Sequence, residues 1–334
     1  MKLQQLRYLI AIVENGLNIT AASERLFTSQ PGVSKQLKLL EDELGLRLFA
    51  RNGKTLVDIT PEGKIIIAKA RIVLREVSNI KELATDLRNE TRGTLSIGTT
   101  HTQARYVLPD IIQKFQQAYP DVRLDIQHGT SEQIAEMIAQ GSIDFAIASN
   151  SERLFSDIVR LPWYQWDRII LTKSNHPLAQ QDKASLDDLV KYPLITYVFS
   201  AQGPSTFTDS FERAGLSPNV TLTARDADVI KTYIRKGMGV GIVAAMAYER
   251  DFDKDLRSID CSELFPRCTT WIGFSKDHYL RTYMYDFLKM LSPHLDKYFI
   301  QDAIEAKQQN RSLPTKVELP VIKHVTLDNH FQYY

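Results

Sequence analysis

Cysteine is scarce in this sequence, because only Cys261 and Cys268 occur among 334 residues. Two cysteines are too few for the disulfide framework of a small secreted domain, and no histidine cluster lies near them at zinc-ligand spacing. We therefore interpret both as ordinary, partly buried thiols, and we expect neither a metal nor a cofactor.

Long apolar runs are also missing. No window approaches the ~20 apolar residues that a membrane helix needs. The N-terminus reaches Glu14 after a short mixed stretch and lacks the apolar segment and small-residue cleavage site of a signal peptide. We therefore expect a cytoplasmic protein that does not enter a membrane.

The sequence has no strong charge of one sign, since its formal net charge is +1. Residues 1–90 carry 14 Lys+Arg and 11 Asp+Glu, hence +3, and the remaining 27 and 29 give −2. This mild asymmetry permits DNA binding by the N-terminal part without requiring it. The length predicts two or three domains.

The N-terminal segment predicts a pair of short helices. Apolar residues recur every three or four positions over residues 3–15, and Gly16 ends that helix. Asn18 can cap a second helix over residues 19–26, which carries alanine where helices must approach closely.

A third helix begins where Ser29 can act as N-cap and Pro31 occupies the first turn at no cost in hydrogen bonds. It runs to about Leu44, with an apolar inward face. The outward face resembles a recognition helix, because glutamine, serine and lysine side chains reach base edges and phosphates. The residues that we assign to DNA contact on this helix are Ser29, Gln30, Pro31, Ser34, Lys35 and Lys38.

Residues 46–49 and 56–60 flank the tetrapeptide Arg51-Asn52-Gly53-Lys54. Asn-Gly is a strong hairpin-turn signal, so this stretch predicts a two-stranded wing with Arg51 and Lys54 near its tip, placed to touch phosphates. Residues 1–60 thus predict a winged helix-turn-helix. Spacing alone leaves a small helical bundle with a solvated polar face open.

The run AASERLFTSQPGVSKQLKLLEDELGLRLFAR closely resembles the LysR-type transcriptional regulators. The predicted helix, turn and wing elements occur in the order of that family. The resemblance implies a regulator that binds double-stranded promoter DNA, and it makes RNA polymerase a candidate partner.

Residues 61–91 predict one long helix that starts at Thr60-Pro61 and continues until the turn signal at Gly93. Apolar residues alternate spacings of four and three along it, which indicates a heptad seam and a homodimer through residues 62–90. A single amphipathic helix lying on its own domain is the alternative. The resemblance implies that dimers pair into a homotetramer. The seam consists of Ile66, Ala70, Val73, Val77, Ile80, Ala84 and Leu87.

Strands and helices alternate beyond Gly93, which predicts an α/β domain. We predict strands at 94–99, 122–127, 144–148, 168–172, 194–197 and 239–244, with helices at 106–119, 131–139 and 226–236. The resemblance implies two lobes of the periplasmic-binding-protein type. We expect an effector domain over 92–300, with lobe one at 92–162 and 268–300, lobe two at 163–267, and a loose tail at 301–334.

Ligands of open α/β sheets sit at the carboxyl ends of strands. Thr100, Thr102 and Gln103 follow the first predicted strand, Ser149 follows the third, and Gln202 follows the strand at 194–197. Hydroxyls and amides suit a small oxyanion or carboxylate. The alternative is that each hydroxyl only caps a helix.

The segments TTHTQARY, DADVIKTYIRKGMGVG and LRTYMYDF resemble the CysB-like branch of the family. This resemblance implies an activator of sulfur assimilation and cysteine biosynthesis genes, with acetylserine as inducer and sulfate or thiosulfate as competing ligands. Carried over by position, Thr100, Thr102, Gln103 and Ser149 line the pocket, opposite the loop around Gln202. The chain departs from that branch at Ser149 and Gln202, where we expect threonine, and at Pro204, where we expect a basic residue.

Three other functions compete with this interpretation. A sister regulator would serve sulfonate or another alternative sulfur source. A solute-binding protein shares the two-lobed fold, but the missing signal peptide and the helix-turn-helix count against it. An enzyme is not expected, because no nucleophile with a base is identifiable and His101 has no evident partner carboxylate.

Overall fold

The structure is a computed structural model, and it describes residues 1–88, 91–149, 152–156, 158–201, 205–311 and 318–322. The chain divides into two compact units. The N-terminal unit contains Met1–Glu90 together with Asp277–Arg281, and the C-terminal unit contains Thr91–Lys276 and Thr282–Tyr334. Within the described ranges, no helix is long and apolar enough to cross a membrane.

The N-terminal unit consists of three short helices, a hairpin and one long helix. In chain order these are α1 (Leu3–Glu14), α2 (Ile19–Arg25), α3 (Gln30–Leu44), β1 (Phe49–Asn52), β2 (Thr55–Ile59) and α4 (Pro61–Leu87). The sequence signals explain the boundaries. The Asn18 side chain accepts a hydrogen bond from the Ala21 amide, and the Ser29 hydroxyl accepts one from the Gly32 amide. Gly45 ends α3 in the left-handed conformation.

One apolar core joins the three short helices, the hairpin and the start of α4. Its centre holds Leu9 and Ile12 of α1 and Leu40 of α3, which are fully buried. The long helix can pack this closely only because position 63 is glycine. A Cβ at Gly63 would lie 2.1 Å from the Leu48 carbonyl oxygen, so any side chain there would force the hairpin and the helix apart.

Only part of the apolar seam predicted along α4 is exposed in the structure. Ala70 is buried and Ile66 is partly buried, because both pack into the N-terminal core. Val73, Ile80 and Leu87 are exposed, as predicted for a seam that faces outward. The full exposed apolar stripe comprises Ile65, Ile72, Val73, Ile80, Leu83 and Leu87.

The segment Asp277–Arg281 packs against the second half of α4. The buried Arg281 guanidinium pairs with Glu82 at 3.1 Å and with Asp86 at 3.0 Å. The Asn79 side-chain amide donates to the Asp277 carbonyl at 2.7 Å. These contacts explain why a short segment remote in sequence belongs to the N-terminal unit.

The C-terminal unit contains two sheets joined by crossover helices. The elements up to the first crossing are β3 (Gly93–Thr99), α5 (His101–Tyr106), α6 (Pro109–Ala118), β4 (Val122–His128), α7 (Ser131–Gln140), β5 (Phe145–Ser149) and β6 (Val159–Trp166). The helix predicted over 106–119 is confirmed at Pro109–Ala118, but it starts three residues later than predicted. Pro109 starts a new helix after a break at Val107 and Leu108, since proline is favoured at a first helical position.

The second lobe and the return of the chain complete the unit. Its elements are β7 (Arg168–Lys173), α8 (Leu186–Leu189), β8 (Leu194–Tyr197), α9 (Val198–Ala201), α10 (Thr206–Arg213), β9 (Val220–Ala224), α11 (Ala227–Arg235), β10 (Val240–Ala244), β11 (Leu256–Asp260), β12 (Cys268–Phe274), α12 (Thr282–Leu291), α13 (Lys297–Gln308) and β13 (Val321–Ile322). Short 3₁₀ turns cover Glu152–Phe155, Pro177–Gln180 and Ala245–Ala247.

Each lobe is built on one mixed sheet. Lobe one has six strands in the order β13-β6-β12-β5-β3-β4, and lobe two has five in the order β11-β7-β10-β8-β9. Pairs such as β3 with β4 are parallel, whereas β12 runs antiparallel to both of its neighbours. This topology is the α/β arrangement expected from the alternating pattern.

The predicted first crossing at Pro162 is misplaced. Pro162 lies inside β6, opposite Trp271, where the register with β12 shifts. A proline fits such an irregular position because it has no amide hydrogen to donate to the sheet. The chain leaves lobe one at Asp167, between β6 and β7, and the second crossing precedes β12 at Arg267.

The predicted tail boundary at residue 300 is also misplaced. Helix α13 continues through that position to Gln308, with Ala303 and Ala306 buried. Strand β13 extends the six-stranded sheet by pairing parallel to β6. The described part of the tail is therefore ordered in two places, because its few apolar residues lie on lobe one.

Candidate functional site

The polar face of α3 lies on the surface of the N-terminal unit. Ser29, Gln30, Pro31, Lys35 and Lys38 are exposed, and Ser34 is half-buried. The opposite side of the helix is buried in the apolar core. Within the polar face, the Gln30 side-chain amide donates a hydrogen bond to the Ser34 hydroxyl at 3.3 Å. The helix therefore presents hydrogen-bond donors and two cations to solvent.

The two cations predicted near the tip of the wing differ in their surroundings. Its turn is formed by Gly53, with a φ of +61°, and by Lys54, which is exposed. Arg51 is the penultimate residue of β1, close to the turn, and its guanidinium pairs with Glu41 of α3 at 2.7 Å. Glu41 also accepts a hydrogen bond from the Leu48 amide. Arg51 thus joins the wing to the recognition helix.

A polar cluster lies at the carboxyl end of β5 in lobe one. The Ser149 hydroxyl lies 2.7 Å from the Thr270 hydroxyl of β12. The Trp166 indole N–H is directed at both oxygens, at 3.3 Å from Ser149 and 3.1 Å from Thr270. A single indole donor therefore organises two hydroxyls that come from different strands.

Gln103 joins the same cluster through Tyr164. It is buried in α5, and its amide oxygen accepts a hydrogen bond from the Tyr164 hydroxyl. Burial raises the pKa of Tyr164, and hydrogen bonds with Thr270 and Gln103 oppose that rise. The phenol therefore stays protonated at neutral pH and acts as the donor to Gln103.

Thr102 lies beside lobe two. Burial raises the pKa of Tyr197 to about 12, and hydrogen bonds with the Ala244 amide and the Thr102 hydroxyl oppose that rise. The Ala244 amide donates to the Tyr197 hydroxyl at 3.2 Å. Thr100 is the N-cap residue of α5, directly after β3, and its side chain makes no capping hydrogen bond. Its hydroxyl is therefore not used as a helix cap.

The structure thus brings Thr102, Gln103 and Ser149 to one region, with Thr100 adjoining them in the chain. Gln202 lies outside the described residues. Sequence reasoning missed three side chains of the region, Tyr164, Trp166 and Thr270, whereas Tyr197 lies in the strand predicted at 194–197. Strand β12 carries the β-prone run Thr269-Thr270-Trp271-Ile272, which would have revealed one of them.

Two side-chain contacts connect α5 of lobe one to lobe two. The Tyr106 hydroxyl donates to the Asp228 carboxylate at 2.6 Å, and Arg105 pairs with Glu249 at 3.2 Å. Burial and the hydrogen bond to Asp228 raise the pKa of Tyr106. Both contacts join α5 of lobe one to residues of lobe two.

His101 has carboxylate neighbours that the sequence did not reveal. Among the described residues, one ligand atom each of His101, Asp226 and Asp228 lies within 4.8 Å of the others, a group that could hold a metal ion. Both carboxylates already have partners: Asp226 caps the Val229 amide, and Asp228 accepts from Tyr106 and lies 3.4 Å from Lys231. The two carboxylates beside His101 are therefore held by groups of the protein itself.

Two family models match the chain. Residues 3–64 match the bacterial regulatory helix-turn-helix protein model of the lysR family, and residues 88–296 match the LysR substrate binding domain. The second match covers more than half of the chain. The two matches fall on the two regions in which the candidate surfaces lie.

Curated relatives are similar along nearly their whole length. The chain is 46% identical to the HTH-type transcriptional regulator CysB of Haemophilus influenzae over 310 residues, covering 93% of this chain and 96% of the relative. It is 41% identical to the HTH-type transcriptional regulator SsuR of Burkholderia cenocepacia over 297 residues, covering 89% and 96%. A solved structure of the cofactor-binding domain of the Cbl transcriptional regulator matches with a TM-score of 0.59 and 35% identity, covering 67% and 95%.

Proposed function

Because this chain belongs to the LysR family of bacterial transcriptional regulators, we propose that it controls sulfur assimilation and cysteine biosynthesis genes in response to a small anionic or acetylated effector. The observation that supports the ligand-binding part most directly is the convergence of Gln103, Ser149 and Thr270 on the two aromatic donors Tyr164 and Trp166. The protein is a regulator and not an enzyme.

The DNA-contacting surface that we propose consists of the exposed face of α3 and the wing. Side-chain amides and hydroxyls read base edges, and lysines neutralise phosphates. Lys54 contacts the backbone from the wing turn, and Arg51 contributes both to the wing position and to the local positive charge. The proposed residues are Ser29, Gln30, Pro31, Ser34, Lys35, Lys38, Arg51 and Lys54.

A homodimer through residues 62–90 fits the exposed apolar stripe of α4. Ile65 and Ile80 are each 65% exposed, and an unpaired helix face of this kind is covered when two copies associate. Two-fold symmetry then matches two DNA half-sites. We extend this proposal to a homotetramer, to RNA polymerase as a partner at the promoter, and to action in the cytoplasm.

The effector proposed for the cleft is acetylserine, sulfate or thiosulfate. Hydroxyl and amide donors from Thr100, Thr102, Gln103 and Ser149 suit the oxygen atoms of such ligands. The likeness to SsuR and Cbl also supports a second candidate, a regulator of sulfonate or other alternative sulfur source use. The two candidates share the DNA-binding mechanism and differ in the ligand that fills the cleft.

A titration of the full chain tests this function. We expect acetylserine, sulfate, thiosulfate or a sulfonate to raise the Tm and to change the complex with sulfur-gene promoter DNA, since a ligand that binds only the folded state stabilises by RT ln(1 + [L]/Kd). Thr100→Val should abolish the rise in Tm, whereas Thr221→Val on the exposed side of β9 should retain it.

Two results would contradict the proposal. One is a chain whose Tm and DNA complex respond to none of these compounds. The other is a Thr100→Val variant that is stabilised as strongly as the original chain, which would place the binding site elsewhere.

A further inference from the structure

Arg168 is a buried cation at the crossing between the lobes. It is the first residue of β7, directly after Asp167, and it is only 3% exposed. Arginine is seldom buried without an anionic partner, because a guanidinium loses its hydration when it leaves water. The groups around this side chain therefore show whether its charge is already paired within the protein.

Within the described residues, Arg168 forms no ion pair with a carboxylate. Its Nη1 donates to the Pro266 carbonyl at 3.4 Å and its Nη2 to the Thr206 hydroxyl at 3.0 Å. The neighbouring carboxylate of Asp167 pairs instead with Arg267, at 3.2 Å. A guanidinium has five N–H donors, and the two hydrogen bonds that Arg168 makes in the described part of the chain both go to uncharged oxygens.

The guanidinium lies next to the candidate effector site. Its Cζ is 5.8 Å from the ring centre of Trp166, whose indole N–H is directed at Ser149 and Thr270. Its charge also opposes the rise in the pKa of Tyr197, which contacts Thr102. Arg168 is thus near Trp166 of lobe one and Tyr197 of lobe two.

We propose that Arg168 supplies the positive charge that selects an anionic effector, through an ionic contact with a carboxylate, sulfate or sulfonate group in the cleft. The inference rests on the proposed function, since it assigns a specificity-determining residue to the same site. The hydroxyls and amides of lobe one are uncharged and hydrogen-bond anionic and neutral oxygens alike. Discrimination between charged and uncharged ligands then comes from lobe two.

The test compares ligands that differ in charge and little in shape. The full chain, Arg168→Met and Arg168→Lys are titrated with sulfate, methanesulfonate and uncharged methanesulfonamide, and binding is followed calorimetrically. Arg168→Met should weaken binding of the anions roughly 10- to 100-fold, as expected for losing a charge-assisted hydrogen bond, and should change methanesulfonamide binding by less than about threefold. Arg168→Lys should recover much of the anion affinity, because it retains the charge.

Arg267→Met is the matched control, because it removes a nearby arginine that already pairs with Asp167. It should leave anion affinity within about threefold of the original. If the original chain binds anions and Arg168→Met binds them equally well, the inference is wrong while the proposed function stands. Equal loss of charged and uncharged ligands would assign Arg168 a structural role instead and overturn the inference. A chain that binds none of the effectors in the titration under the proposed function would overturn that function itself.

Discussion

The proposed DNA-contacting face and the proposed effector cleft are built in opposite ways. The first consists of exposed side chains from one helix and one turn, close together in the sequence. The second consists of buried or half-buried groups that meet from distant segments: Gln103 and Tyr164 are 61 residues apart, and Ser149 and Thr270 are 121. The first surface forms once one helix and one turn have folded, whereas the second forms only when the complete lobe has folded.

This difference predicts different effects of substitution. Apart from Ser29, which caps α3, and Arg51, which pairs with Glu41, a side chain on the DNA face contributes to binding and little to folding, because it contacts solvent in the free protein. A hydroxyl in the cleft contributes to both, because its removal leaves a buried partner without a hydrogen bond. The comparison can be tested with substitutions whose expected effects on the free energy of unfolding differ in size.

Thr270→Val should lower the free energy of unfolding more than the substitution of any lysine or arginine on the DNA face. Valine keeps the shape and removes the hydroxyl that contacts Ser149 and accepts from Trp166. We expect a loss of about 1–3 kcal/mol, and the rise in Tm with effector should disappear. All three tryptophans, Trp163, Trp166 and Trp271, belong to the C-terminal unit, so their fluorescence in a urea titration measures that unit alone.

The neighbouring Thr269→Val is the matched control for Thr270→Val. Thr269 is half-buried, and its hydroxyl accepts only a long hydrogen bond from Gln165, at 3.5 Å. Its substitution should change the free energy of unfolding by less than about 0.5 kcal/mol. Equal losses in the two variants would show that the Ser149–Thr270–Trp166 cluster has no special role.

The distance in sequence between interacting residues also explains how much of the molecule could be predicted from the sequence. Caps at Asn18 and Ser29, the turn at Gly53 and the helix start at Pro61 are local signals, and the structure confirms those elements. The alternating pattern likewise predicts the six strands assigned in the C-terminal unit, to within a few residues.

What could not be predicted depends on contacts between distant segments. No local pattern reveals that Ala70 packs into the N-terminal core, or that Glu41 of α3 pairs with Arg51 of the wing. Trp166 and Thr270 acquire their roles only when β6 and β12 meet. The pairing of β13 with β6 likewise has no signal in the polar sequence around it.

Arg51→Met should have an intermediate effect. The substitution removes the ion pair with Glu41, whose carboxylate keeps the Leu48 amide as a partner. Because Arg51 is partly exposed, we expect a loss of about 1 kcal/mol or less in the free energy of unfolding, together with weaker DNA binding. Circular dichroism during thermal unfolding, combined with a DNA-binding titration, measures both effects.

Lys54→Met provides the comparison for Arg51, since Lys54 is exposed in the turn. It should weaken DNA binding and leave the unfolding transition unchanged. If Arg51→Met also leaves stability unchanged, the ion pair does not hold the wing, and Arg51 belongs with the exposed cations.

Lys38→Ala should have the smallest effect on folding and a clear effect on DNA binding. Lys38 is exposed on α3, and alanine favours a helix, so the free energy of unfolding should stay within about 0.5 kcal/mol of the original. The loss of a phosphate contact should weaken binding to all DNA sequences alike and reduce the slope of log K against log salt by about 1 per contact.

Lys254→Ala, exposed in the C-terminal unit, is the control and should leave that slope unchanged. A Lys38→Ala variant that instead loses discrimination between promoter sequences, at an unchanged salt slope, would mean that this lysine contacts a base edge. Base-specific contacts would then extend along α3 beyond its first turn, as far as Lys38.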